Sequence, residues 1–315
     1  NLSFTKADKK SNQLFSLGYY DQQGLVKFSD FKRVSGRFNS EYKLFDDHFR
    51  IGENISLSHS WGTSVSNNAA LGGTLYEAYK FQSITPVKNL EDEYAGNVFS
   101  DIPNPMGKLY RNKDNQDKKS RLVGNLYAEL HLFDGLMFKT SFGVDYNNLY
   151  RRSFSPKYDE LNASEKLSSL SNRNAWNFNW VFTNTLTYNK TFGDHTINAL
   201  LGMESLRNRY EYFTASRDGF PSDDPNFLFL DAGDVGTQKN SGAATEYSMV
   251  SYFGKLDYNY HDRYLVAFTL RRDGSSRLGN NKWGNFPAAS VGWRISNEPF
   301  FDVEAISNLK VRVGW

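Results

Sequence analysis

The sequence predicts an all-β protein: an antiparallel up-and-down transmembrane β-barrel, of which this chain supplies about twelve strands. Aromatic residues make up 16% of the chain although its mean hydropathy is −0.61. Apolar and polar residues alternate with period two over long stretches, and tight turns alternate with long polar connections. Strands with aromatic residues on one face and small polar residues on the other account for all three observations.

Composition excludes several other classes. The 37 basic and 35 acidic residues nearly cancel, to a net charge of +2, so no nucleic acid partner is indicated. Cysteine is absent, which excludes disulfides, thiolate nucleophiles and cysteine zinc sites. No apolar run approaches the roughly 18 residues of a spanning helix, whereas membrane strands need only alternate over about 10 residues.

The strands follow in order. Leu2 to Ala7 and Gln13 to Tyr20 begin the series, and "FKRVSGRFNSEYKLF" and "HFRIGENISLSHSW" form a hairpin across Asp46-Asp47. A second hairpin turns at Asp134-Gly135, between alternating stretches that begin near Leu122 and Leu136. In each of these stretches most aliphatic and aromatic residues lie at alternate positions, as expected of a strand with one apolar face.

The clearest alternation lies in "NAWNFNWVFTNTLTYNK". From 176 to 188 its even positions are apolar apart from Asn184, and its odd positions are mostly Asn and Thr; the apolar members are Trp176, Phe178, Trp180, Phe182, Leu186 and Tyr188. A turn at Gly193-Asp194 leads into a return strand to about Phe213. The stretch "EYSMVSYFGKLDYNY" then reverses at His261-Asp262, and strands near 287–296 and 309–315 complete the twelve.

The long connections are predicted near 62–118, 151–173, 214–244 and 274–285, all at the end opposite the tight turns. The first includes a short helix around Leu75 and Tyr79. Composition never shifts enough to mark a domain boundary, so residues 1–315 are predicted to be part of one barrel domain.

A soluble sandwich has no reason to place every long connection at one end, but an outer-membrane barrel has short periplasmic turns and long extracellular loops. Aromatic residues near strand ends fit the two interfacial girdles of such a barrel; they are Tyr19, Tyr20, Trp61, Tyr150, Trp176, Tyr258, Tyr260 and Tyr264. An open sheet in lipid would expose unpaired backbone groups at its edges, so we expect a piece of a larger barrel.

One stretch carries a family resemblance. "EYSMVSYFGKLDYNYHDRYLVAFTLRRDGSSRLGNNKWGNFPAASVGWRISNEPFF" and "ISNLKVRVGW", within Glu246 to Trp315, resemble the barrel of the SusC/RagA type of TonB-dependent transporters of Bacteroidota. Phe15 to Asn39, Phe192 to Ser205 and Arg217 to Phe227 are similar to the same family in the same order.

The resemblance implies a 22-stranded barrel, plugged by an N-terminal domain and closed by a SusD-like surface lipoprotein. It also implies that the TonB-ExbB-ExbD complex drives transport by pulling on the plug. This chain differs by omission, because the plug, the TonB-binding segment and the remaining strands are expected to lie outside it.

Candidate contact residues lie in the predicted loops. Aromatic side chains there could stack on a sugar or peptide, or could pack the loops together, which is the favoured interpretation; the candidates are Tyr76, Tyr79, Tyr94, Phe227 and Trp283. Arg271 and Arg272, near Gly274, could form an anion cradle, but a phosphate-binding glycine loop opens a helix and this stretch returns to a strand. The favoured interpretation is therefore a loop between two strands, in which both arginines are candidates for contact with a partner or substrate.

No catalytic residue, metal ligand or cofactor is predicted. His48, His195 and His261 each lie at a tight turn without metal-ligand spacing, and paired carboxylates such as Asp223-Asp224 lie in polar loops. The sequence is consistent with two functions. The first is TonB-dependent import of oligosaccharides or peptides across the outer membrane, and the alternative is a surface-exposed binding or adhesion protein without transport.

Overall fold

A computed structural model describes residues 1–65 and 73–315. Twelve antiparallel strands form one sheet in which neighbours in sequence are neighbours in space. The fold class and the strand number predicted from the sequence are thus confirmed. The strands of this sheet are β1 (Leu2–Ala7), β2 (Ser11–Gln23), β3 (Asp30–Leu44), β4 (Phe49–Gly62), β5 (Gln116–Phe133), β6 (Leu136–Ser155), β9 (Ser169–Phe192), β10 (His195–Asp218), β11 (Lys239–Tyr260), β12 (Tyr264–Ser275), β13 (Trp283–Arg294) and β14 (Lys310–Gly314).

The connections carry the remaining elements. They are the helices α1 (Thr74–Lys80) and α2 (Pro105–Arg111), a small hairpin of β7 (Tyr158–Glu160) and β8 (Ala163–Glu165), and 3₁₀ turns at Pro225–Phe227, Leu230–Ala232, Val235–Thr237 and Ile295–Asn297. The short helix expected around Leu75 and Tyr79 is α1; residues 66–72 of the same connection lie outside the described residues. In the described part of the chain, no helix is long and apolar enough to span a membrane.

The sheet register sorts the side chains onto two faces. Paired residues of neighbouring strands project to the same side, so the alignment of Leu126 with Phe142 and of Phe142 with Phe182 builds a continuous apolar row. The opposite face is polar: Tyr127 lies across Gly52 there and donates a hydrogen bond to Glu41 Oε2 at 2.8 Å. We call these the apolar face and the polar face.

Seven of the eight aromatic residues expected in the girdles occupy apolar-face positions. Tyr20 does not, because it pairs with Arg33 on the polar face, and its ring centroid lies 6.0 Å from that guanidinium. Alternation within a strand decides the difference: Tyr19 and Tyr20 are adjacent, so only one of them can face the apolar side.

The strands reach further than the alternation indicated. β9 and β10 each contain 24 residues, more than twice the 9 to 11 or so that cross a bilayer. β6 continues to Ser155, and β12 and β13 leave only residues 276–282 between them. A ladder that extends beyond the membrane satisfies backbone groups that a loop would leave to water. Trp283, expected in a loop, is therefore the first residue of β13.

The buried residues lie mainly at the ends of the long strands and in the connections that pack there. Phe154, Leu170, Phe220 and Leu228 form a buried apolar cluster there, and Leu170 is fully buried. This arrangement leaves the middle of the sheet with two solvent- or lipid-accessible faces and concentrates the packing among the long connections.

Candidate functional site

The long connections 73–115, 156–168 and 219–238 pack on one another, and together we call them the loop cap. Their apolar contact is the buried cluster, in which the rings of Phe154 and Phe220 meet edge to face at 5.9 Å. Ser168 donates to the carbonyl of Phe220 and accepts from its N–H. The loop cap is thus a packed structure at the long-connection end of the sheet.

Glu160 links two of these connections. Its side chain is 3% exposed, and its Oε1 accepts a hydrogen bond from Arg111 Nη1 at 2.6 Å. Its Oε2 accepts from the backbone N–H of Asn104 at 2.6 Å. The Arg111 guanidinium also lies 3.8 Å from the centroid of the Tyr158 ring. A buried carboxylate with this set of donors is fully compensated, so it positions the walls around it.

Asn104 is the second organising residue. It caps α2, its side-chain oxygen accepting from the N–H groups of Met106 and Gly107, and Pro105 occupies the first helical turn. Its amide donates to the carbonyls of Val87 and Ala95. One buried asparagine therefore ties α2 to the preceding loop.

A cleft of about 540 Å³ opens between these connections. Aromatic rings from Tyr94, Tyr110 and Tyr158 line it together with lysine, arginine and carboxylate side chains. Burial raises the pKa of the Tyr158 phenol above its usual value, which keeps the hydroxyl protonated and able to donate. Such a wall offers ring faces, donors and acceptors to a polar organic ligand.

The structure gathers only part of the predicted contact set at this cleft. Tyr94 lines it, with its ring 5.9 Å from Tyr110 and with Lys88 Nζ 4.7 Å from its centroid. Phe227 is 63% exposed in the 3₁₀ turn beside Pro225, which is part of the lining. Tyr76 lies on α1 under Lys80, and Tyr79 is 89% exposed.

The two predicted arginines lie on opposite faces of the sheet. Arg271 is on the polar face, where it donates to Asp273 at 2.7 Å and to Ser251 Oγ at 2.9 Å and lies 3.6 Å from Glu204. Arg272 is on the apolar face, 5.0 Å from the ring centroid of Trp283. The two arginines expected to act together near Gly274 thus lie in two different environments.

Sequence reasoning missed Arg111 and Glu160. They lie 49 positions apart in polar stretches, and nothing local marks either as buried. The one available signal was "NP" at Asn104-Pro105, a capping residue followed by proline, which indicates a helix start. Within the described residues no group of three or more His, Asp or Glu side chains is placed to hold a metal ion.

The chain is similar over its whole length to known receptors. It is 30% identical over 323 residues to "TonB-dependent receptor P3" of Formosa agariphila, covering 100% of this chain and 32% of the relative. It is 29% identical over 333 residues to "TonB-dependent receptor SusC" of Bacteroides thetaiotaomicron, covering 95% of this chain and 31% of that one. The chain is a barrel segment of a TonB-dependent receptor of the SusC/RagA type. The family resemblance found in its sequence is thus confirmed.

Solved structures agree on the fold of this receptor segment. The RagAB peptide importer in its closed-closed state superposes with a TM-score of 0.83 at 22% identity, over 99% of this chain and 35% of that one. No protein-family model matches. The segment spans about a third of the length of the curated relatives. Its relatives are receptors and transporters, not enzymes, and it belongs to the outer membrane.

Proposed function

We propose that residues 1–315 are part of one barrel domain that imports oligosaccharides or peptides across the outer membrane, driven by TonB. The observation that carries the proposal is the twelve-stranded sheet with one apolar and one polar face, matched end to end by TonB-dependent receptors. In such a barrel the apolar face meets lipid and the polar face lines the interior.

The cleft of the loop cap is the proposed first contact for substrate. Tyr94 offers a ring face there, and the neighbouring donors and acceptors suit the hydroxyl groups of a sugar or the amides of a peptide. Tyr76, Tyr79 and Phe227 lie on the same connections and are proposed contacts for substrate or lid. Arg271, in the polar wall, is a proposed contact further along the path.

A SusD-like lipoprotein is the proposed lid, since exposed aromatic side chains of the loop cap, Tyr79 and Phe227 among them, would be covered by a partner seated there. The TonB-ExbB-ExbD complex would act through a plug outside this segment.

The experiment that tests import is uptake of fluorescent oligosaccharide and peptide panels by cells expressing the full-length receptor. Cells with and without functional TonB are compared. Import predicts accumulation of one panel that is lost without TonB. Surface binding that persists equally in both strains, with no accumulation, would establish the adhesion alternative instead.

A matched pair of variants tests the cleft. Tyr94→Ala removes a lining ring and is expected to weaken uptake about five- to tenfold, as loss of one aromatic contact of about 1 kcal/mol predicts. Phe99→Ala removes an exposed aromatic of the same connection that is not part of the lining and should leave uptake unchanged. Equal effects of the two would contradict the cleft as a contact site.

A further inference from the structure

Arg272 occupies an unusual position for a charged residue. It follows Val266, Phe268 and Leu270 on the apolar face of β12, and it pairs with Tyr252 of β11. Its sequence neighbour Arg271 faces the other way and is engaged by Asp273 and Glu204. A cation that follows directly on an apolar strand face meets lipid, and such a position is costly unless the charge reaches the interface and finds a partner.

The Trp283 ring, itself stacked on Tyr252, holds the Arg272 guanidinium in place. The guanidinium lies 5.0 Å from the centroid of Trp283, and the rings of Tyr252 and Trp283 are stacked at 6.2 Å with an interplanar angle of 21°. Gly274 makes this possible, because a Cβ there would lie 3.0 Å from the indole. The indole covers the glycine, so the cation rests on a fixed aromatic platform.

Among the described residues, no carboxylate lies within 4.0 Å of Arg272, and its guanidinium contacts the ring of Trp283. Two other arginines on this face, Arg207 and Arg209, differ. Arg207 lies 2.8 Å from Glu246, and Arg209 lies 2.7 Å from Glu211 and 3.8 Å from Glu246. The carboxylates of this patch are therefore already occupied, and Arg272 keeps its N–H donors free for an external anion.

The height of Arg272 identifies that anion. Tyr264 marks the end of β12 nearest the tight turn, and Arg272 follows it by 8 residues. At about 3.3 Å per residue and a tilt of about 40°, this places Arg272 roughly 20 Å across an apolar band of about 25 Å. The group is thus at the boundary on the long-connection side, where phosphate groups of outer-leaflet lipids lie.

We propose that Arg272, held by the Trp283 ring, binds the phosphate group of an outer-leaflet lipid. A guanidinium offers two parallel N–H donors to phosphate oxygens and can stack on a ring at the same time, which a lysine cannot reproduce. The site faces away from the barrel interior, so it is separate from the proposed import path.

The test uses the full-length receptor in phosphatidylcholine nanodiscs that contain lipid A, with native mass spectrometry counting retained lipid A. Wild type is expected to retain phosphorylated lipid A and not to retain lipid A from which the phosphate groups have been removed. Arg272→Gln should reduce retention roughly five- to tenfold, the effect of one basic residue at a membrane surface. Arg272→Lys should retain an intermediate amount.

Arg271→Gln is the matched control, since it removes the same charge one residue away on the opposite face. If Arg271→Gln fails to insert, Lys255→Gln, also on the polar face, takes its place. Both should retain lipid A as wild type does. Equal retention by wild type and Arg272→Gln would overturn the proposal, as would indifference to dephosphorylation. Displacement of lipid A by excess inorganic phosphate would show a free-anion site instead.

Discussion

Arg111 and Glu160 form a buried ion pair between two connections that are far apart in sequence. Arg111 Nη1 lies 2.6 Å from Glu160 Oε1, with side-chain exposures of 12% and 3%. The pair joins α2, in the connection between β4 and β5, to β7, in the connection between β6 and β9. The pair is thus one of the contacts that join these two connections at the wall of the loop-cap cleft.

Removal of the arginine should loosen the loop cap. Arg111→Ala leaves the Glu160 carboxylate buried without its cation, which costs about 3 to 5 kcal/mol when a buried pair is broken. We expect faster amide hydrogen exchange in α2 and in β7 of the full-length receptor. Lys166→Gln is the control, because its pair with Asp159 is 73% and 67% exposed and contributes at most about 1 kcal/mol. Equal exchange in the two variants would show that the pair holds nothing together.

An arginine on the apolar face should impair assembly. Phe182 lies in the apolar row with Phe142, near the middle of the membrane-spanning part of β9, so Phe182→Arg is expected to cost roughly 2 to 4 kcal/mol. Thr183→Arg places the same side chain on the polar face beside Glu204 and should be tolerated. Urea unfolding of the receptor in lipid vesicles measures both. A tolerated Phe182→Arg beside a damaging Thr183→Arg would reverse the assignment of the faces.

Gly202 should not tolerate a methyl group. The Phe253 ring of β11 lies across it, and a Cβ at Gly202 would approach that ring to 2.2 Å. Gly202→Ala must displace a ring that also lies under Arg271, so a loss of about 1 to 3 kcal/mol is expected.

Gly143→Ala provides the comparison for Gly202, because it is also on the polar face and its added Cβ would meet nothing closer than 3.8 Å. The same unfolding measurement should find it close to wild type. If both alanines cost the same, the cost does not come from the close approach of Phe253; strand propensity cannot supply it either, since strands favour alanine over glycine.

The loop cap should weaken at high pH through Tyr158. Burial raises the pKa of this phenol, so folding favours the neutral form. Its contribution is fully present below the ordinary phenol pKa of about 10 and is lost as the pH rises through the raised value. When protease cleavage of the loop cap is measured at increasing pH, it should begin at a lower pH in wild type than in Tyr158→Phe. Identical profiles would assign the transition to other groups.

Much of the sheet was predictable because its signal is local. Alternation places the side chains of "NAWNFNWVFTNTLTYNK" on two faces whatever surrounds the strand, and the register of β9 with β6 and β10 agrees with that division. The tight turns at Asp134-Gly135 and Gly193-Asp194 are equally local, since Gly135 and Gly193 both adopt positive φ there.

Contacts between distant parts of the chain had no such signal. Whether Trp283 belongs to a loop or to a strand depends on how far the β12 and β13 backbones stay paired, and this pairing sets which face receives Arg272. Glu160 is buried only because α2 and β7 come together above the sheet, a juxtaposition that no spacing in the sequence encodes. Residue type and the two-residue alternation therefore predict the barrel wall. The cleft depends on packing among the long connections, which pairs Arg111 with Glu160 although they lie 49 positions apart.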